Sequence, residues 1–129
     1  VFVGPTVDRR RRSAPAQAAA LLLDGIRERP SLTATVVRDY LATGPLRVWR
    51  TARSALADEP ERKLPAFRAP LLVVRGERDP LCSAAWGEEL ARLAPRGRLE
   101  TVAGGAHAVH HSHPRELATL VRRFLEEPA

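Results

Sequence analysis

Residues 71–80 read LLVVRGERDP and residues 104–114 read GGAHAVHHSHP. The rest of the chain takes its place around these two stretches. Leu71–Val74 is a continuous apolar run, the pattern of a parallel strand buried on both faces. Gly76 permits a turn, and Asp79 follows with its backbone stiffened by Pro80. The second stretch comes after a more mixed strand at Leu99–Ala103, as expected nearer a sheet edge, and carries His107 just past Gly104-Gly105. Parallel sheets present their functional groups at the C-terminal ends of strands. An imidazole titrates near neutrality and needs a carboxylate to fix its tautomer and stabilise the imidazolium. Asp79 and His107 are therefore the candidate acid and base, with the glycines before His107 predicting a mobile, exposed loop.

Outward from this pair, Ser83 is placed to cap a helix in which Trp86, Leu90 and Leu93 share a face. Pro114 opens the last helix, as proline favours the first helical position. Leu117, Leu120, Val121, Phe124 and Leu125 then recur at the spacing of one apolar stripe. At the other end, Val1–Val3 followed by Gly4-Pro5-Thr6 reads as a buried strand meeting a turn. Asp8 sits just beyond it, either as a turn or capping residue or as an alternative acid. Glu77 is a weaker candidate for the same role.

Between Ala14 and Ala57 the sequence predicts helices only. Ala16–Ile26 is rich in strong helix formers. Pro30-Ser31 restarts the chain with Ser31 as the expected N-cap. Val36, Val37, Tyr40 and Leu41 share a face of the second helix, which Gly44-Pro45 ends. Leu46, Trp49, Ala52 and Leu56 define a third. A simple crossover between parallel strands needs only about a dozen residues, so this segment is long for a connection. Glu59–Arg62 is a charged, Pro-bounded link back to the sheet.

The lead-in Leu64-Pro65 to Pro70, the apolar strand, Gly76-x-x-Asp79 and the later G-x-x-H at His107 together resemble the C-terminal half of an α/β-hydrolase. The resemblance covers nearly the whole chain and is strongest over 64–124. It implies an α/β fold: a partial α/β-hydrolase with three mostly parallel strands, flanking helices and a helical cap insertion. Residues 1–8 and 64–129 would form the core, and 9–63 a cap or lid with its linker. It implies a nucleophile–His–acid triad in which Asp79 orients His107 and His107 carries the proton. The substrate implied is a small, largely apolar, carbonyl-containing molecule. The family's nucleophile sits in a G-x-S-x-G elbow, and none of Ser13, Ser31, Ser54, Ser83 or Ser112 lies in one. The chain also has no methionine and opens directly on an apolar run. The expectation is a partial chain whose nucleophile and oxyanion donors lie upstream, and which does not catalyse alone. The other reading is a non-catalytic remnant or accessory domain with the same fold.

Composition narrows the remaining classes. The net charge of +6 is almost wholly arginine, with Lys63 the only lysine. Arg9–Arg12 is the one dense basic run, but no aromatic residues interleave with it for stacking on bases, so it reads as a solvated loop and not a nucleic-acid site. Cys82 is alone, which excludes a disulfide framework. His107, His110, His111 and His113 crowd one loop, and His107 and His111 have the four-residue spacing of a helical metal pair. They fall in a predicted loop without an acid or thiolate at ligand spacing, so no metal or cofactor is expected. No apolar run approaches the ~18 residues of a membrane span, and no signal peptide is visible, so a cytoplasmic protein is the default. Nothing in the sequence specifies an oligomer.

Overall fold

A strand at Leu71–Gly76 (β2) forms the middle of a three-stranded parallel sheet, between Phe2–Val3 (β1) and Gly97–Val102 (β3). The structure is a computed structural model that describes residues 1–5 and 7–127. β2 pairs with β1 through Phe2–Val73 and Val3–Val74, and with β3 from Leu71–Gly97 to Gly76–Val102. Every residue of β2 is buried, as its unbroken apolar run requires.

Strand alternation sends Leu71 and Val73 to one face and Leu72 and Val74 to the other. The first pair packs with Cys82, Trp86 and Leu90, the last two from a helix at Ala84–Leu93. The second pair packs with Val102 and Val109, and against Leu117, Leu120, Val121 and Phe124 of a helix at Pro114–Glu126. Full burial of an aliphatic side chain is worth roughly 1.5–3 kcal/mol, so these two layers anchor the fold. Leu125 departs from the expected stripe and is 72% exposed. One more step along the helix carries it past the edge of the sheet face.

Three helices connect β1 to β2: Ala14–Arg27 (α1), Pro30–Thr43 (α2) and Pro45–Ala57 (α3). A short helix at Pro60–Lys63 (α4) and a 3-10 turn at Leu64–Ala66 then lead into β2. The helices after β2 are Ala84–Leu93 (α5), Val109–Ser112 (α6) and Pro114–Glu126 (α7). Ser83 caps α5 as expected, accepting the Trp86 N–H at 3.2 Å. Ser31 does not cap α2, because Pro30 takes the first helical position and pushes the cap back to Arg29, which makes no side-chain bond. β3 starts two residues before the expected Leu99, because the N–H of Leu71 already pairs with the Arg96 carbonyl at 2.9 Å.

The arginine run is also not simply solvated. Arg9 and Arg10 reach the buried carboxylate of Glu89 on α5 at 2.7 and 2.9 Å, and Arg12 lies 2.8 Å from Glu61. A buried carboxylate requires such partners, and the turn after β1 brings the run onto Glu89. By contrast α2 and α3 bury no residue. Val37, Leu41, Leu46 and Trp49 are all more than half exposed.

Candidate active site

Asp79 stands at the C-terminal end of β2, in a turn closed by its own N–H on the Gly76 carbonyl at 3.2 Å. Its Oδ1 accepts the N–H groups of Leu81 at 2.8 Å and Cys82 at 2.9 Å. That local capture, typical of Asp in turns, leaves Oδ2 facing His107, whose Nδ1 lies 3.0 Å away. The Asp79 side chain is fully buried and His107 is 23% exposed. A carboxylate accepts only, so Nδ1–H of neutral His107 is the donor. The Nε2 atom of His107 makes no hydrogen bond among the described residues. Beneath the acid turn, the buried Arg75 guanidinium donates to the carbonyls of Cys82 at 2.9 Å and Glu77 at 3.1 Å.

The His107 loop is pinned, contrary to the mobile loop expected from its glycines. Its backbone lies directly on Gly76, where a Cβ would collide with the carbonyl oxygens of Gly105 and Ala106. Gly76 thus serves a close approach of two loops more than a turn. Glu77 accepts the N–H of Gly104 at 2.7 Å, and Arg78 N–H donates to Gly105 at 2.8 Å. From the other side, Gly4 at φ +56° sits against the ring, with room for a Cβ only 3.0 Å from Cε1 of His107.

Two further carboxylates come from α1. Asp24 Oδ1 accepts the N–H of His107 at 3.0 Å, and Glu28 Oε1 accepts the N–H of Ala108 at 2.6 Å. Both residues are buried. Sequence reasoning passed over them as members of an ordinary helix. The available signal was their position: acidic residues in the last turns of a helix oppose its macrodipole, so they need partners elsewhere. Burial pushes the Asp24 carboxyl above its ordinary range. For His107, burial disfavours the charged ring, but Asp79, Asp24 and Glu28 outweigh it and hold the imidazole above its usual value.

The other candidates lie apart from this pair. Asp8 caps the turn at Arg9–Arg11 through Arg10 N–H at 2.9 Å and accepts the Ser83 hydroxyl at 2.8 Å. Both of its oxygens are engaged away from His107, which meets Asp79 instead. Glu77 braces Gly104. His110 and His111 are exposed on α6, a helical turn within the stretch expected to be loop, and His113 Nδ1 is 2.9 Å from the Ser112 hydroxyl. Among the described residues no three His, Cys, Asp or Glu side chains are grouped to hold a metal ion. Ser13 caps α1, and none of the hydrogen bonds among the described residues joins a serine to His107. Burial, reinforced by Asp79, pushes the Cys82 thiol up to about 12.

The model of the alpha/beta hydrolase family matches residues 1–120. The chain belongs to this family. Among curated relatives, it is 34% identical over 113 residues to the biotin biosynthesis bifunctional protein BioHC of Teredinibacter turnerae, covering 85% of this chain and 20% of that protein. It is 36% identical over 64 residues to the pimeloyl-[acyl-carrier protein] methyl ester esterase of Xanthomonas oryzae pv. oryzae, half of this chain and 25% of the esterase. The fold also matches a thermophilic esterase from Thermogutta terrifontis, with a TM-score of 0.68 at 20% identity over 92% of this chain and 46% of that one. The chain thus spans about a quarter or less of the curated relatives' length and about half of that structure. Among the described residues no helix is long and apolar enough to cross a membrane.

Proposed function

We propose that this chain supplies the acid and base of a nucleophile–His–acid triad for hydrolysis of an ester-like or other small carbonyl substrate. The observation that carries this reading is the 3.0 Å contact between a buried carboxylate and His107 Nδ1 at the ends of two parallel strands. Asp79 fixes the tautomer that leaves Nε2 unprotonated, so Nε2 takes the proton of the attacking group and returns it to the leaving group. No serine of the chain hydrogen-bonds His107 among the described residues, so in this reading the nucleophile and the donors for the oxyanion come from outside these 129 residues.

The helical segment 9–63 acts in this reading as a cap over the site. A cleft of about 690 Å³ between α1 and α2, lined by Ile26, Val37, Leu41, Arg38 and Glu28, has the size and mostly apolar walls of a small-molecule site. Glu28 joins it to the His107 loop. A small, largely apolar carbonyl compound suits these walls, in a cytoplasmic setting.

The lack of a serine at His107 also favours a second reading, a non-catalytic domain of the same fold. One experiment separates the two. The natural polypeptide carrying these residues is purified from its source and assayed with p-nitrophenyl esters of short acids, beside His107→Ala. Hydrolysis that falls by about 10³-fold or more in the variant supports the triad. Full activity in the variant sinks the assignment of His107, and no hydrolysis by the parent protein leaves the non-catalytic reading.

A further inference from the structure

We infer that Asp24 and Glu28 are positioning residues: α1 holds the His107 loop through two carboxylates, and the seating of the imidazole against Asp79 depends on that hold. Its kinetic consequence rests on the triad reading above, while its geometric content does not.

Asp24 lies in the last turn of α1, and Glu28 is the C-cap that follows it, its N–H donating to the Asp24 carbonyl at 2.8 Å. The N–H groups they accept, at His107 and Ala108, lie between β3 and α6 where no ladder or helix bond takes them. Buried N–H groups of this kind need acceptors, and the bonds reach across 83 and 80 positions of sequence. The end of α1 and the link that follows it also reach both loops of the site. Arg27 donates to the Arg78 carbonyl at 2.7 Å, next to Asp79, and Arg29 donates to the Ser112 carbonyl at 3.2 Å, beyond His107. Asp24 and Arg27 of α1, with Glu28 and Arg29 in the link to α2, therefore bracket the acid loop and the base loop together. Neither carboxylate touches the ring nitrogens, so they act through the backbone.

Their charge also bears on the ring. The groups facing His107 are Asp79 from the turn after β2, and Asp24 and Glu28 from α1; β1 offers only the uncharged Gly4. Arg27, Arg29 and Arg78 are engaged on backbone carbonyls, and His110 and His111 are exposed on α6. Asp24→Asn and Glu28→Gln keep an acceptor oxygen for the N–H but remove the charge. Asp24→Ala removes both.

The test uses NMR on the protein: the titration of the His107 ring and amide hydrogen exchange at His107 and Ala108, with kcat and KM wherever turnover is measured. Asp24→Asn and Glu28→Gln should shift the ring titration to lower pH with little change in exchange. Asp24→Ala should speed exchange at His107 roughly tenfold or more, with Val73 and Val74 in β2 unchanged, and lower kcat more than it raises KM. Unchanged His107 exchange in Asp24→Ala overturns the inference, whatever the ring titration does. Should Asp24→Ala not fold, Glu28→Ala decides it by exchange at Ala108, whose N–H loses its acceptor. A protein without esterase activity defeats the triad reading alone, since titration and exchange need no turnover.

Discussion

Asp79 divides its two oxygens between its own turn and His107: Oδ1 takes the N–H groups of Leu81 and Cys82, and Oδ2 lies 3.0 Å from Nδ1 of the imidazole. The two tasks can be separated by substitution. Asp79→Asn keeps an oxygen for the turn but presents N–H groups to Nδ1, which forces the proton onto Nε2. Under the proposed triad, ester hydrolysis by the natural polypeptide should fall on the order of 10⁴-fold, with unfolding in urea shifted little. Asp79→Ala also strands two buried N–H groups and should cost on the order of 3 kcal/mol in the same unfolding experiment.

The raised pKa of His107 makes a prediction about pH. The folded protein binds this proton more tightly than the unfolded chain, whose histidine titrates near about 6.5. The stabilisation is therefore complete below that value and is lost as pH rises through the higher folded pKa. The difference in Tm between the wild type and His107→Gln should narrow as pH rises above about 6.5. Asp24 has the same sign in a more acidic window, because its carboxyl is also pushed upward. In catalysis, kcat/KM should rise with pH through the His107 value, since the base must be neutral.

Two glycines should respond oppositely to alanine. At Gly76 a Cβ meets the carbonyl oxygens of Gly105 and Ala106, which are fixed backbone. Gly76→Ala should displace the His107 loop and destabilise by roughly 3 kcal/mol or more. Gly25 lies inside α1 with open space around a Cβ, and Gly25→Ala should stabilise by about 0.5–1 kcal/mol. Thermal unfolding of both variants checks the pair.

Cys82 should be inert. Its thiol is fully buried and pushed up to about 12, so almost none is thiolate at neutral pH. Reaction with an aromatic disulfide reagent should be negligible in native buffer and prompt in denaturing urea. Prompt native labelling would mean that the Asp79 turn opens readily.

Much of this architecture is legible in local pattern. The unbroken run Leu71–Val74 announces a strand covered on both faces, and Ser83 and Pro114 announce the starts of α5 and α7. The meeting of Asp79 with His107 follows from strand ends, once the sheet is parallel. Asp24 and Glu28 were not legible, because their partners are backbone groups 80 residues away with no side-chain signature. The same holds for the arginines at 9 and 10, whose role is set by Glu89 on a distant helix. Gly76 has the sequence signature of a turn glycine, whereas its lack of a Cβ matters for the carbonyls of Gly105 and Ala106.

The helices between β1 and β2 are not equally free to vary. α2 and α3 bury no residue, whereas Asp24 in the last turn of α1 and Glu28 just past it are buried and bonded to the His107 loop. Exchange of the whole segment between β1 and β2 would remove the acceptors of the His107 and Ala108 amides along with α2 and α3. A crossover at Pro30, just past Glu28, would leave them in place. The stretch from Pro30 to Ala57 can then diversify as a cassette, while Asp24 and Glu28 are inherited with the sheet.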